Sequence, residues 1–426
     1  MKLFSTTALA LVASMTAVPA VAQDYGSRPQ SMQPEREQPA QKAPAAQGGQ
    51  AAPLKVTPSK KATPALIELQ TAVQKKDAAN IPAKLAAAQA VATTKEDRYL
   101  IGKFQLEAAV AANDNNAAAA AIEAMASSGV LDAAGSSSLY QSLGGTLFNA
   151  KDYARSASAY QKALALNPNN ADAQSMLVDA YLGAGQKAEA GSALQRLIQA
   201  RTAAGQKPEE ALIKRAVAIA YDTKSPNAIQ LARQWVVAYP SPASWSDALA
   251  IYQNLNRPDS EGLLDLSRLL HVTNSMKAGG QYAQYARAAA DLNNFNEAQF
   301  AYDAGVKAGL INPASAEFSD LAQGLKTKPK ATAADLAEAT KTAQSGMALL
   351  RIGDRYYAMG DYAKAVELYR KSMGKPGVDA SVANLHIGMA LARAGDKAGA
   401  ATALNAVSGT YAELAKFWLV YANSAA

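Results

Sequence analysis

His271 and His386 are the only imidazoles in a chain of 426 residues that has no cysteine. An imidazole can move protons near neutral pH or ligate a metal. His386 stands beside Ile387 within a helical pattern, and His271 follows Leu269-Leu270 at a helix end. Both therefore read as helical residues, exposed or partly buried. Two isolated histidines without a thiolate provide no zinc-ligand spacing. The lack of cysteine also removes disulfides, thiol nucleophiles and a lipoprotein anchor. No G-x-x-x-x-G-K-S/T phosphate loop and no G-x-S-x-G elbow occurs. Gly144-Gly145 and Gly279-Gly280 do not open helices after strands, so they read as packing or turn residues. A glycosidase-type carboxylate pair would leave no local signature, since its members meet only in space. The expectation is a chain that is not an enzyme and holds no catalytic residue, metal or cofactor. An enzyme with an unsigned site is the outlying alternative.

The elements that would position any such residue are helices. Hydrophobic residues make up 49% of the chain but aromatic ones only 7%, and alanine dominates the difference. Alanine is the best helix former and lets helices approach closely. Alternating β-branched runs are missing, so the fold class is all-α. Formal net charge is +7, or +6 without Lys2. The basic residues are scattered, with short runs only at Lys60-Lys61 and between Lys326 and Lys330, and nucleic acid is not an expected partner.

The first residues read as an address. Lys2 supplies a positive start, Leu3 to Val18 are apolar or small, and Ala20-Val21-Ala22 is a small-x-small cleavage pattern. Residues 1–22 are therefore expected to be a cleavable signal peptide directing the chain to the periplasm. The apolar run is shorter than the ~20 residues a membrane span needs, and no integral span is expected in the mature chain. Residues 23–64 are rich in Pro, Gln and Ala, and are expected to be a disordered tether.

From residue 65 onward the chain reads as helix after helix. Residues 65–136 form alanine-rich hairpins, 137–325 a partly degenerate array, 326–345 a hinge or linker, and 346–426 a C-terminal repeat pair with a capping helix. The clearest unit places Tyr140, Leu143, Gly144, Leu147, Tyr153, Ser156, Tyr160, Ala163 and Pro168 on two helices and a stop. Leu177, Tyr181, Gly185, Ala190, Leu194 and Leu197 repeat those offsets thirty-four residues on. A third copy runs through Leu349, Ile352, Gly353, Tyr356, Gly360-Asp361-Tyr362, Ala365 and Tyr369. A fourth follows at Ile387, Gly388, Leu391, Gly395-Asp396, Ala400 and Leu404. A weaker one includes Tyr282, Tyr285, Phe295, Ala298 and Tyr302. Period and pattern resemble the tetratricopeptide repeat family. Good copies cover about a third of the chain, and weaker ones extend over most of residues 137–407.

The resemblance implies a right-handed α-solenoid of stacked helical hairpins, in which each hairpin buries its neighbour's apolar face. Tyr411, Leu414, Phe417, Trp418 and Tyr421 lay an apolar stripe on one further helix, either an end cap or a docking surface. In this family the first helix of each hairpin lines a groove that takes partner segments. Carried over position by position, the groove residues are Gln141, Phe148, Asn149, Asp179, Leu182, Leu350, Asp354, Tyr357, Met389 and Arg393. Some members clamp a partner's terminal carboxylate with Lys, Asn and Arg. Here those places hold Gln141, Gly145, Ser175, Asp179, Leu350 and Asp354, so that activity is not implied. The expected function is a periplasmic scaffold or adaptor that binds proteins and serves an envelope assembly. A solenoid binding glycan, such as peptidoglycan, is the alternative.

Overall fold

The computed structural model describes residues 55–424. The expected signal peptide and residues 23–54 of the expected tether lie outside them. The described residues contain twenty-one α-helices and a short 3₁₀ turn, with no strand among them. The described chain divides between Lys207 and Pro208 into two compact units. Each is a stack of antiparallel helical hairpins, as the repeat pattern implies.

The first unit holds α1 (Thr63–Gln74), α2 (Ile81–Val91), α3 (Lys95–Ala111), α4 (Asn115–Ala126), α5 (Ala133–Asn149), α6 (Tyr153–Leu166), α7 (Ala171–Gly183) and α8 (Lys187–Ala203). Each helix packs on its neighbours in sequence, and α5 also touches α7. Within the α5/α6 hairpin a Cβ on Gly144 would lie 2.7 Å from the Tyr160 ring. Only glycine admits that approach, which lets Ser156 Oγ donate to the Gly144 carbonyl at 2.8 Å. Fully burying a side chain of this size contributes roughly 1.5–3 kcal/mol. Asp152 starts α6 by accepting from the Arg155 amide, and Asn170 caps α7 through the Ala173 amide.

The expected tether is too long at its C-terminal end. Val56 and Ala62 are buried, and Ser59 donates its amide and hydroxyl to Asp97 at 2.7 and 2.8 Å. Burial opposes the ionised Asp97. The Thr93, Ser59 and Thr94 amides and the Ser59 hydroxyl still hold its carboxyl below the usual range. Composition alone suggested disorder here, but one satisfied carboxylate anchors the segment that leads into α1.

The second unit comprises α9 (Glu210–Asp222), α10 (Ala228–Ala238), α11 (Pro242–Asn256), α12 (Ser260–Val272), α13 (Gly279–Asp291), α14 (Phe295–Lys307), α15 (Ala316–Thr327), α16 (Ala333–Thr342), α17 (Gly346–Ala358), α18 (Tyr362–Met373), α19 (Ala380–Arg393), α20 (Lys397–Asn405) and α21 (Ala412–Ser424). The α17/α18 and α19/α20 turns pass through Gly360 and Gly395, at φ +82° and +83°, where a side chain would be strained. Asp361 and Asp396 follow and cap α18 and α20. Residues 326–345, expected as a hinge or linker, contain α16, whose start is fixed by a Thr332–Asp335 capping box. The stack runs past this segment, because α14 packs directly on α17.

The apolar stripe of α21 faces inward. Leu414, Phe417 and Trp418 have no exposed surface, and α21 packs on α19, α20 and α10. Phe417 sits beside Trp245 and Tyr252, with ring centroids 6.2 and 6.3 Å away. Leu414, Phe417 and Trp418 of the stripe are thus turned to the unit's own interior.

Candidate partner-binding surface

The groove residues of the first unit are mostly at the surface. Gln141 on α5 is half-buried and accepts from Asn170 Nδ2 at 2.8 Å. Asn149 is exposed at the end of α5, and Asp179 and Leu182 on α7 are half-buried. The four lie on α5 and α7, two helices that touch, and carry amide, carboxylate and aliphatic character. Asp179 lies near the Tyr160 phenol, whose pKa is raised by burial and by that negative charge. Phe148 departs from the expectation: it is 8% exposed and packs edge-on against Tyr153 at 5.1 Å. Its hydrophobic ring completes the hairpin and leaves little surface for a partner.

The second unit departs further. Leu350 and Met389 have no exposed surface, Asp354 is 2% exposed and Tyr357 7%. None of these four offers an open groove. Arg268 of α12 covers Asp354 and Tyr357, and α21 packs on α19, which carries Met389. Arg268 of α12 donates to both Glu297 carboxylate oxygens at 2.7 and 2.6 Å and to Asp265 at 2.9 Å. Its guanidinium also lies 3.7 Å from Asp354 and covers the Tyr357 ring at 4.8 Å. Arg351 bridges Glu261 and Asp354. Tyr285 and Tyr369 donate their hydroxyls to Glu297 and Asp354, and Asn294 donates to Glu297.

His386 completes this network and is 1% exposed, not an exposed or partly buried helical residue. Its Nε2 lies 3.0 Å from Asp265, and its Nδ1 is 3.1 Å from Asp354 at an ion-pair distance without hydrogen-bond alignment. Burial alone would lower the imidazole pKa, but the Asp265 and Asp354 charges overcome that and raise it to about 10. Burial likewise opposes the ionised Asp354, yet His386, Arg268 and Arg351 hold its carboxyl below the ordinary range. Four carboxylates thus face two guanidiniums and one imidazolium, a nearly balanced internal set. Such a set orients helices; it presents no open face to a substrate. Among the described residues, no group of His, Asp and Glu is placed to hold a metal ion.

The imidazolium has a pH signature. In the unfolded chain His386 loses its proton near the ordinary value of about 6.5; in the folded chain it keeps it to about 10. Its contribution is therefore complete below the unfolded pKa and fades as pH rises through the folded one. His386→Gln should open a melting-temperature gap from the parent chain that is widest below about pH 6.5. That gap should narrow steadily towards pH 10. A gap that stays constant from pH 6 to 10 would show that His386 is held neutral.

Arg393 is the one groove residue of the second unit that stays half-exposed. The sequence reading missed Glu261, Asp265, Arg268 and Glu297 altogether. The available signal was Asp265 and Arg268 set among the leucines of Ser260–Val272, where charge interrupts an apolar face.

Two family models, both described as tetratricopeptide repeat, match residues 147–206 and 350–413. The chain therefore carries tetratricopeptide repeats in both units. No curated protein sequence matches it. One similar solved structure is titled "Structure of Naa15/Naa10 bound to HypK-THB", with 14% identity and a TM-score of 0.33. The match covers 84% of this chain, which spans 58% of that one. Another is titled "Crystal structure of APC/C hetero-tetramer Cut9-Hcn1", with 10% identity, a TM-score of 0.18, and 82% and 86% of the two chains covered.

Proposed function

With tetratricopeptide repeats at residues 147–206 and 350–413 as the premise, we propose that the chain is a non-catalytic scaffold, exported to the periplasm, where it joins proteins of an envelope assembly. What supports this reading is that Gln141, Asn149, Asp179 and Leu182, on two first helices that touch, are not fully buried. Hairpins stacked in this way hold a row of side chains at fixed spacing, the arrangement that recognises an extended or helical segment. Export is supported by the Lys2 start, the apolar run Leu3 to Val18 and the Ala20-Val21-Ala22 pattern. No described helix is long and apolar enough to cross a membrane.

The test is cross-linking of the full chain in its own envelope, followed by affinity capture and mass spectrometry. Asn149→Arg and Leu182→Arg are suitable variants because neither site is fully buried. Phe148 and Tyr357 are unsuitable, since a charge at either buried site would damage the fold. A discrete set of envelope proteins, reduced by about tenfold or more in the folded double variant, is the expected result; each tenfold equals about 1.4 kcal/mol. Recovery of glycan alone, or of the same proteins at undiminished yield, would refute protein binding at these residues.

A further inference from the structure

In the C-terminal repeats α18 follows α17 after residues 359–361, and α20 follows α19 after residues 394–396. Between α14 and α17, which pack on each other, the chain instead makes an excursion through residues 308–345. Phe318 of α15 seats its ring on the start of α13, where a Cβ on Gly279 would lie 2.9 Å from it. The chain then runs back to the start of α14. There Ala331 donates its amide to Asn296 Oδ1 and accepts from Asn296 Nδ2, both at 2.9 Å. Lys328 lies over the neighbouring Phe295 ring at 5.3 Å. Of the two helices in the excursion, α15 packs on α13 and α14, and α16 packs on α17.

Little apolar surface holds this excursion down. Among residues 312–345 only Phe318, Leu325 and Leu336 are buried, whereas α12 alone buries eight of its thirteen residues. Few buried apolar contacts on mostly exposed helices mark a segment that opens locally at low cost. Opening need not disturb the stack. The packed α14 and α17 hold the ends of the excursion together, and the cost of closing a loop rises only slowly with its length. We propose that residues 312–345 form a strap that opens as one local unit, baring Phe295 and Asn296 while the repeat stack stays closed. Asn296 is the clasp, since its one side chain satisfies both backbone groups of Ala331. A ligand for the bared start of α14 meets only the open fraction, and its apparent affinity falls by that fraction.

The strap does not depend on what the chain binds, so the test uses the full chain alone, by native amide hydrogen exchange read by mass spectrometry. Amides of residues 316–327 and 333–342 should exchange at least about tenfold faster than those of α14 and α17. Asn296→Ala removes both clasp bonds and should speed the strap amides by about a further tenfold, as expected for two neutral hydrogen bonds. Amides of residues 346–358 should not respond. Leu336→Ala empties a buried site in α16 alone, yet it should accelerate residues 316–327 together with 333–342, because the strap opens as one unit. Circular dichroism melting confirms that each variant is folded. If Asn296→Ala does not fold, the parent rates and Leu336→Ala decide the matter. Strap amides as protected as those of α17 would overturn the proposal. So would a response to Leu336→Ala confined to residues 333–342, or acceleration of residues 346–358 by either variant, which would make the segment part of the stack.

Discussion

Replacing Arg268 by methionine lowers the stability of the second unit by about 3–5 kcal/mol at neutral pH, the range for breaking a buried ion pair from one side. The side chain is 1% exposed and binds Glu297 through two nitrogens, Asp265 through a third bond, and the Tyr357 ring through its face. Methionine fills much of the same volume, so the loss is mainly electrostatic. It leaves Glu297, Asp265 and Asp354 buried with fewer positive partners. The pH dependence follows in sign. Without Arg268 those carboxylates bind protons more readily in the folded chain, so acidification narrows the difference from the parent chain. Urea midpoints at pH 7 and pH 4.5 measure both quantities. A loss below about 1 kcal/mol at pH 7 would place the network among the energetically weak, solvated pairs. Replacing an entire buried network with apolar residues is often neutral. What the charged version contributes is then orientation: Asp265 and Arg268 match their partners on α14, α17 and α19 in a single arrangement.

Trp418→Ala should cost a similar ~3–5 kcal/mol by the loss of a large buried ring and the cavity left behind. Trp418 is fully buried, and its indole N–H donates to the Asp265 carbonyl at 3.3 Å. It also meets Tyr421 edge-on at 5.5 Å. Removing the ring therefore loosens α21 from α12 as well as emptying the space. The loss should be local in its first expression. Amide hydrogen exchange in residues 412–424 should accelerate well before that in residues 55–207, which belong to the other unit. Uniform acceleration in both units would contradict this account of α21 as the second unit's own cap. Trp418→Phe keeps part of the ring and should lose less.

The hairpins were legible because their determinants are local. Gly144 and Tyr160, or Gly353 and Tyr369, meet across one turn, and both members recur at the family's spacing. The Gly-Asp pairs at 360–361 and 395–396 combine a left-handed turn residue with the next helix cap. The long-range pairings of the second unit were not legible. Glu261 meets Arg351 across 90 residues, Asp265 meets His386 across 121, and Trp418 reaches Asp265 across 153. No periodic pattern encodes such pairings. The groove assignment consequently placed Leu350, Asp354, Tyr357 and Met389 at helix positions that are buried within the unit. The anchored Ser59 was missed for a related reason: its carboxylate partner lies 38 residues away in a stretch of different composition.

The placement of α21 bears on the order in which a growing chain can acquire its structure. In the first unit, helix partners are neighbours or next-but-one neighbours, so each hairpin can settle on the one before it soon after synthesis. In the second, Phe417 is needed beside Trp245 and Tyr252, and Glu413 beside Arg233. Residues 228–272 must therefore wait for more than a hundred further residues before their aromatic and charged side chains are covered. Translation at ≈ 5–20 residues per second makes that a delay of many seconds. During that interval the half-made unit displays the surface that chaperones recognise, and a ribosome stalled before residue 412 would leave it on display.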